Sequence, residues 1–257
     1  MQRQKTMLVT GAADGTGFAI AARFAKEGWQ VLVTSRDIRR AQAAAERIMQ
    51  QYGTPAFGYA LDGVDVQQVA ALFEQLDRQD LCPDTVVLNA ANLGIGMDPL
   101  TVSAEDFMAV LQTNVGWNFA IVQQAARRMK QAGGGAVVFI NSNTAYRAIP
   151  ARCAYSASKS GVLGLARALA LDLGKYHIRV NCVLPGMIKT SRWEENANDI
   201  QHAPSRYTPL GDIAEFEDIA NAAWFLGSDQ ARNTTGAELT VDGGNMIQLY
   251  PIIPQQS

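Results

Sequence analysis

At 257 residues, 48% hydrophobic and 18% charged, the chain is long enough for a sizeable core and has the polarity of a globular protein in water. A formal net charge of −2 gives no electrostatic case for nucleic acid or an anionic membrane. No apolar run reaches the ~18 residues that a bilayer-spanning helix needs.

The opening, MQRQKTMLVTGA, runs straight into a strand pattern without a signal peptide's apolar region. Thr6 to Thr10 reads as a strand, Gly15 to Glu27 as a helix, Trp29 to Thr34 as a strand and Ile38 to Tyr52 as a helix. Ala56 to Leu61 is a strand, Val66 to Arg78 a helix and Thr85 to Asn89 a strand. One long helical segment is predicted from about Ser103 to Gln131. Ala136 to Asn141 is a strand, Tyr155 to Lys175 a helix, Ile178 to Leu184 a strand, Glu217 to Leu226 a short helix and Glu238 to Val241 a last strand. Near-continuous apolar strands between amphipathic helices mean strands buried on both faces. The expected fold is therefore α/β: a three-layer, doubly wound Rossmann domain over 1–257, its sheet mostly parallel and seven-stranded.

Met187 to Asp212 is polar and aperiodic, with Pro204 and Pro209, and reads as a substrate lid. The tail YPIIPQQS is expected to pack as an extended arm or stay loose. Cys82, Cys153 and Cys182 form no CxxC and read as buried apolar residues of a reducing, cytoplasmic protein. His177 and His202 lack metal-ligand spacing, so no metal is expected.

Chemistry concentrates at two places. TGAADGTG follows the first strand and opens the first helix. Gly11, Gly15 and Gly17 there permit a tight turn and close approach of backbone to a pyrophosphate, on a helix N-terminus with free N–H groups. After the second strand come Ser35, Arg36 and Asp37. Arg36 could hold a 2′-phosphate through its planar fork, and Asp37 could instead accept from a free ribose hydroxyl. The second place is YSASK. Tyr155 and Lys159 stand four apart, on one face of a helix. A phenol titrates near ~10, and a neighbouring ammonium lowers that value, so the pair could serve as a general acid/base.

Together these segments resemble the short-chain dehydrogenase/reductase family, in particular its ketoacyl-reductase-like members, over nearly the whole chain. TGAADGTG is similar to the family's TGxxxGxG, and LNAA (Leu88 to Ala91) resembles its NNAG, with Leu88 and Ala91 departing. Asn114 falls at the helix-four asparagine, Ser142 lies thirteen residues before Tyr155, and YSASK matches YxxxK. PGMIKT (Pro185 to Thr190) resembles PGxxxT, and TGAELTVDGG (Thr235 to Gly244) the C-terminal block.

The resemblance implies roles. Tyr155 exchanges the proton on the substrate oxygen, Ser142 orients that oxygen, and Lys159 holds the nicotinamide ribose and depresses the tyrosine pKa. Asn114 holds a water linking Lys159 to solvent. Gly11, Asp14, Gly15, Thr16 and Gly17 form the phosphate turn, and Ser35, Arg36, Asp62 and Asn89 line the adenosine side. Pro185, Gly186, Ile188 and Thr190 lie along the nicotinamide, with Ile188 and Thr190 on its carboxamide. Arg36 and Ser35 favour NADP(H) over NAD(H), whereas Asp14 argues the other way. Asp212 replaces a frequent arginine and bears on the lid or a subunit contact.

The implied activity is NAD(P)-dependent interconversion of a ketone or aldehyde and a secondary alcohol. Reduction of a 3-oxoacyl thioester is the narrower alternative, and a non-catalytic cofactor-binding regulator the alternative of another class. The family commonly pairs subunits through the helices around 103–131 and 155–175, which implies a homotetramer. Asn143, Tyr146, Arg152, Met187 and Trp193 flank the Ser–Tyr pair or begin the lid, and are the candidate substrate contacts. They suit a sugar or polyol, an acyl thioester or a ring ketone about equally.

Overall fold

The computed structural model describes residues 3–62, 65–190 and 206–251. Seven strands form one parallel sheet in the order β3-β2-β1-β4-β5-β6-β7. They are β1 (Thr6–Val9), β2 (Gln30–Ser35), β3 (Ala56–Ala60), β4 (Thr85–Leu88), β5 (Gly135–Ile140), β6 (Ile178–Pro185) and β7 (Glu238–Val241). The first and fourth are buried at every position, as strands covered on both faces must be.

Side-chain alternation divides the core in two. Met7 and Val9 of β1 point to one face and Leu8 to the other. On the first face lie α1 (Gly15–Lys26), α2 (Ile38–Tyr52) and α7 (Phe216–Gly227), which contribute Ile20, Phe24, Ile48 and Ile219. On the second lie α3 (Val66–Arg78), α5 (Asn118–Ala132) and α6 (Cys153–Leu173), with Phe73, Ile121 and Val162. Phe24, Trp29 and Trp224 meet edge-on, centroids 5.0 to 5.7 Å apart, and tie α1 to α7. Such pairs add about 0.5–1.5 kcal/mol each beyond burial.

The doubly wound fold and its seven parallel strands agree with the sequence reading. One element differs. The predicted helix from Ser103 to Gln131 is α4 (Ala104–Leu111), a π-helical segment (Gln112–Trp117) and then α5. A π turn has nearly the side-chain pattern of an α-helix, so periodicity does not separate them, and such turns concentrate at functional sites. Helix α6 also begins two residues before the predicted start, at Cys153.

Winding proceeds outward from β1 in one direction to β3 and from β4 in the other to β7. The crevice at the carboxyl ends of β1 and β4 is thus the switch point where α/β sheets receive ligands.

Candidate active site

Residues from the carboxyl ends of β1 to β4 line a cleft of about 750 Å³ at this switch point, among them Gly11, Asp14, Ser35, Arg36, Asp62 and Asn89. Gly11 has φ +61°, and a Cβ there would stand 3.0 Å from that of Ala90. A Cβ on Gly17 would lie 2.4 Å from the Gly11 carbonyl oxygen. Both positions therefore hold the turn only as glycine. Asn89 binds the turn from below: its Nδ2 donates to the carbonyls of Thr10 (3.1 Å) and Gly11 (3.0 Å). Its amide is spent on shaping the phosphate turn. Thr16 is half-buried in the first turn of α1, which has no side-chain cap, so that end keeps its N–H groups for an anion.

At the adenosine end Arg36 and Asp37 are placed differently. Asp37 caps α2, accepting from Arg39 N at 2.9 Å. That backbone bond, with the Arg39 side chain, holds its carboxyl below the usual carboxylate range. Arg36 lines the cleft, and so does Arg40, which the sequence reading passed over. Arg40 pairs with Asp14, so the charge of Asp14 already has a partner. Arg40 lies in the first turn of α2, four residues beyond Arg36.

The other end holds the titratable cluster. Helix α6 buries Tyr155 (8% exposed) and Lys159 (5%) on the face that carries Val162, Leu163 and Ala166. The Lys159 ammonium donates to the carbonyl of Ile140, the last residue of β5, at 2.9 Å and lies 5.5 Å from the Tyr155 ring centroid. Asn141 Nδ2 donates back to the Lys159 carbonyl at 3.1 Å, stitching β5 to α6. Ser142 caps the short turn that follows β5, its Oγ accepting from Thr144 N at 3.2 Å. Burial pushes the phenol up, while the Ser142 hydroxyl and the positive charge of Arg152 pull it down. The resemblance gave that pull to Lys159; in the structure the charge that lowers the phenol is the guanidinium of Arg152, 6.0 Å from the ring centroid, and Lys159 does not contribute. Burial also pulls Lys159 down, to about 8.

Asn114 lies inside the π segment, 1% exposed. Its Oδ1 accepts from Asn92 N (2.7 Å), and its Nδ2 donates to Asn92 O (2.9 Å) and Ser158 Oγ (2.9 Å). Ser158 Oγ in turn donates to the Tyr155 carbonyl at 2.7 Å. The side chain thus clamps α6 to the loop after β4. A water toward Lys159 would have to use the Asn114 carbonyl, which accepts from Asn118 Nδ2 at 2.8 Å and has a second lone pair.

Comparison with known proteins gives this arrangement a family. A model described as enoyl-(acyl carrier protein) reductase matches residues 11–245. The 3-oxoacyl-[acyl-carrier-protein] reductase of Chlamydia trachomatis is 34% identical over 242 residues, 93% of this chain and 96% of that protein. The chain belongs to the short-chain dehydrogenase/reductase family. Among solved structures, a 7α-hydroxysteroid dehydrogenase complexed with NADH and 7-oxo glycochenodeoxycholic acid superposes with a TM-score of 0.88, at 33% identity and 95% coverage of both chains. The L-sorbose reductase of Gluconobacter frateurii, complexed with NADPH and L-sorbose, gives 0.90 at 27% identity, covering 96% of this chain and 98% of that one. As a short-chain dehydrogenase/reductase, the protein is an NAD(P)-dependent oxidoreductase acting between carbonyls and CH–OH groups.

The glycine cradle and the cations at the far end of the cleft fit such a dinucleotide. The remaining predicted residues of this dehydrogenase/reductase fall as follows. Pro185 ends β6, and a Cβ on Gly186 would stand 2.6 Å from that of Asp242. Met187, Ile188 and Thr190 are half-buried, pinned by an Ile188–Ala214 bridge and the Lys189–Glu215 pair. Asn143 donates to Asn245 Oδ1 at 3.0 Å, and Tyr146 donates to Glu238. Asp212 accepts from Ile213 N at 2.8 Å and so turns its own backbone. Trp193 lies outside the described residues, as do 191–205 of the lid span and 252–257 of the tail. No helix among the described residues can cross a membrane, and they hold no metal-binding cluster.

The lowered Lys159 value has a measurable consequence. Because the folded value lies below the ordinary 10.5, the unfolded chain binds more protons between about 8 and 10.5. Stability drawn from this residue therefore rises with pH across that window, and the cost of charging it is complete below about 8. An NMR titration of lysines labelled at Cε, without added nucleotide, is expected to show one midpoint near 8 that is missing in Lys159→Met. A full set at the ordinary value would contradict the buried placement.

Proposed function

We propose that the chain acts as one catalytic domain with a lid at about 187–212, and that Tyr155 is its general acid/base. The observation that carries this is the burial of Tyr155 beside Ser142, Lys159 and Arg152 at the carboxyl end of β5, on the same edge of the sheet as the dinucleotide cleft. When bound, the nicotinamide supplies or takes up the hydride. Tyr155 moves the proton at the substrate oxygen, and Ser142 orients that oxygen. Lys159 holds the nicotinamide ribose, and Asn114 positions α6 and the loop after β4. Gly11, Gly15, Thr16 and Gly17 hold the pyrophosphate, with Ser35, Arg36, Asp62 and Asn89 around the adenosine. Pro185, Gly186, Ile188 and Thr190 border the nicotinamide. Arg152 and Met187 are the described residues best placed to meet substrate.

The substrate class is a ketone or its secondary alcohol. Sugar-like substrates draw support from the likeness to L-sorbose reductase, and acyl thioesters from the likeness to the chlamydial reductase. A cofactor-binding regulator has no use for an intact serine, tyrosine and lysine, and all three are in place.

NADP(H) is the preferred cofactor on this reading. Arg36 and Arg40 both line the adenosine end, Asp37 is spent on the α2 cap, and Arg40 matches the charge of Asp14. The assembly is a cytoplasmic homotetramer. Met108 on α4, Phe119 on α5 and Leu171 on α6 stay exposed, as faces that another subunit would cover do, and the three cysteines are free.

Three outcomes are expected. Tyr155→Phe lowers kcat by about 10³-fold with NADPH binding retained, within the usual span of acid–base catalysis; near-normal turnover would sink the mechanism. Arg36→Ala raises the KM for NADPH about 30-fold and that for NADH less than about threefold, as loss of a charge-assisted phosphate contact predicts. Equal small changes would return the preference to NAD(H). Light scattering gives four times the 27.8 kDa chain mass, and a single monomer peak would refute the tetramer.

A further inference from the structure

Arg152 lowers the Tyr155 phenol, and its guanidinium keeps N–H groups that this effect does not occupy. Its guanidinium stands 6.0 Å from the Tyr155 ring centroid, and Nη1 donates to the Leu93 carbonyl at 3.1 Å. Among the described residues no carboxylate forms an ion pair with it. By contrast Arg128, also partly buried, is forked onto both oxygens of Asp77 at 2.5 and 2.7 Å. A half-buried cation that meets only one carbonyl has lost water without gaining an anion.

The backbone holds this cation in place. Ala151, just before it, has φ +53°, the left-handed region that a side chain makes costly. Its carbonyl accepts from Met97 N at 3.0 Å, and Met97 and Arg152 pair as a parallel bridge. Cys153 Sγ reaches the Met97 carbonyl at 3.8 Å. The loop around Leu93 to Met97 also packs on Tyr155 itself: a Cβ on Gly94 would lie 3.6 Å from the tyrosine's Cβ. Arg152 is therefore fixed beside the reacting phenol, where a surface arginine would wander.

We propose that Arg152 determines substrate specificity, selecting a ketone or alcohol that bears an oxyanion, carboxylate or phosphate, within a few bonds of the reacting carbon. The N–H groups not used by Leu93 form the fork for that oxyanion. This rests on the carbonyl–alcohol reading above and narrows it.

Two matched pairs test it with NADPH and with NADH: acetoacetate against methyl acetoacetate, and dihydroxyacetone phosphate against dihydroxyacetone. At least one anionic member is expected to exceed its neutral partner about 30-fold in kcat/KM, the usual worth of a charged hydrogen-bonded contact. Arg152→Gln should remove that ratio, mainly through KM, and Arg152→Lys should restore part of it. Whichever pair shows the ratio identifies the anion. Equal rates within both pairs for the unaltered protein, or the same loss on both members in Arg152→Gln, overturns the proposal; the second result assigns Arg152 to holding Tyr155. If none of the four is reduced, titration calorimetry on the NADP-loaded protein decides, with butanoate against butanamide and glycerol 3-phosphate against glycerol. Tighter anion binding that Arg152→Gln abolishes supports the proposal, and equal binding ends it. Failure of the underlying reading is distinct, since it is seen as turnover that survives Tyr155→Phe.

Discussion

Lys159 brings an amine to the floor of the site at 5% exposure, with the Ile140 carbonyl as its hydrogen-bond acceptor. Taking a charge out of water is unfavourable, and one carbonyl does not offset it. What holds the residue there is the rest of α6, whose Val162, Leu163, Ala166 and Ala170 sit on the same face and anchor the helix to the sheet. Tyr155, one turn earlier, is buried by the same contacts. Desolvation acts oppositely on the two groups: it raises the phenol and lowers the amine, so each is driven toward its neutral form. Only Ser142 and Arg152 pull the phenol back, and both stand outside the apolar face that fixes it.

That arrangement requires three distant segments to meet. The end of β5 supplies Ile140, Asn141 and Ser142, α6 supplies the tyrosine and lysine, and the loop after β4 supplies Asn92 and Leu93. Asn114 joins the last two, reaching across 22 residues to Asn92 and 44 to Ser158. The π segment gives that asparagine a wider turn than an α-helix would allow. A second cleft, of about 470 Å³, opens at the amino ends of the strands around Lys5, Asp84 and His177. Its position is opposite to where a doubly wound sheet receives ligands, and none of the tyrosine cluster reaches it.

The strands were legible because burial on both faces writes a continuous apolar run, and the glycine turn was legible because backbone geometry admits no other residue at Gly11 and Gly17. The spacing of Tyr155 and Lys159 put them on one helix face, and it was Ser142 upstream, Asn114 and the glycine turn that marked the pair as part of a site. The π segment was not legible, since its side chains keep nearly the helical pattern through Trp117. Partners far apart in sequence were hidden for a different reason. Arg40 meets Asp14 across 26 residues, and Asn143 meets Asn245 across 102, so no local pattern marks either. Asp37 shows how a local rule can point two ways: the same carboxylate suited a ribose hydroxyl and a helix cap, and the Arg39 amide two residues on took it.

The arginines at the two ends of the site are compensated differently, and this bears on where selectivity resides. Arg40 and Asp14 are 61% and 71% exposed, so their pairing is weak in water. Arg152 is half-buried, fixed by the bridge to Met97, and met by one carbonyl. On the proposal above, an anion at Arg152 would meet a guanidinium that no carboxylate pairs among the described residues, whereas at the adenosine end a phosphate on Arg40 would compete with Asp14.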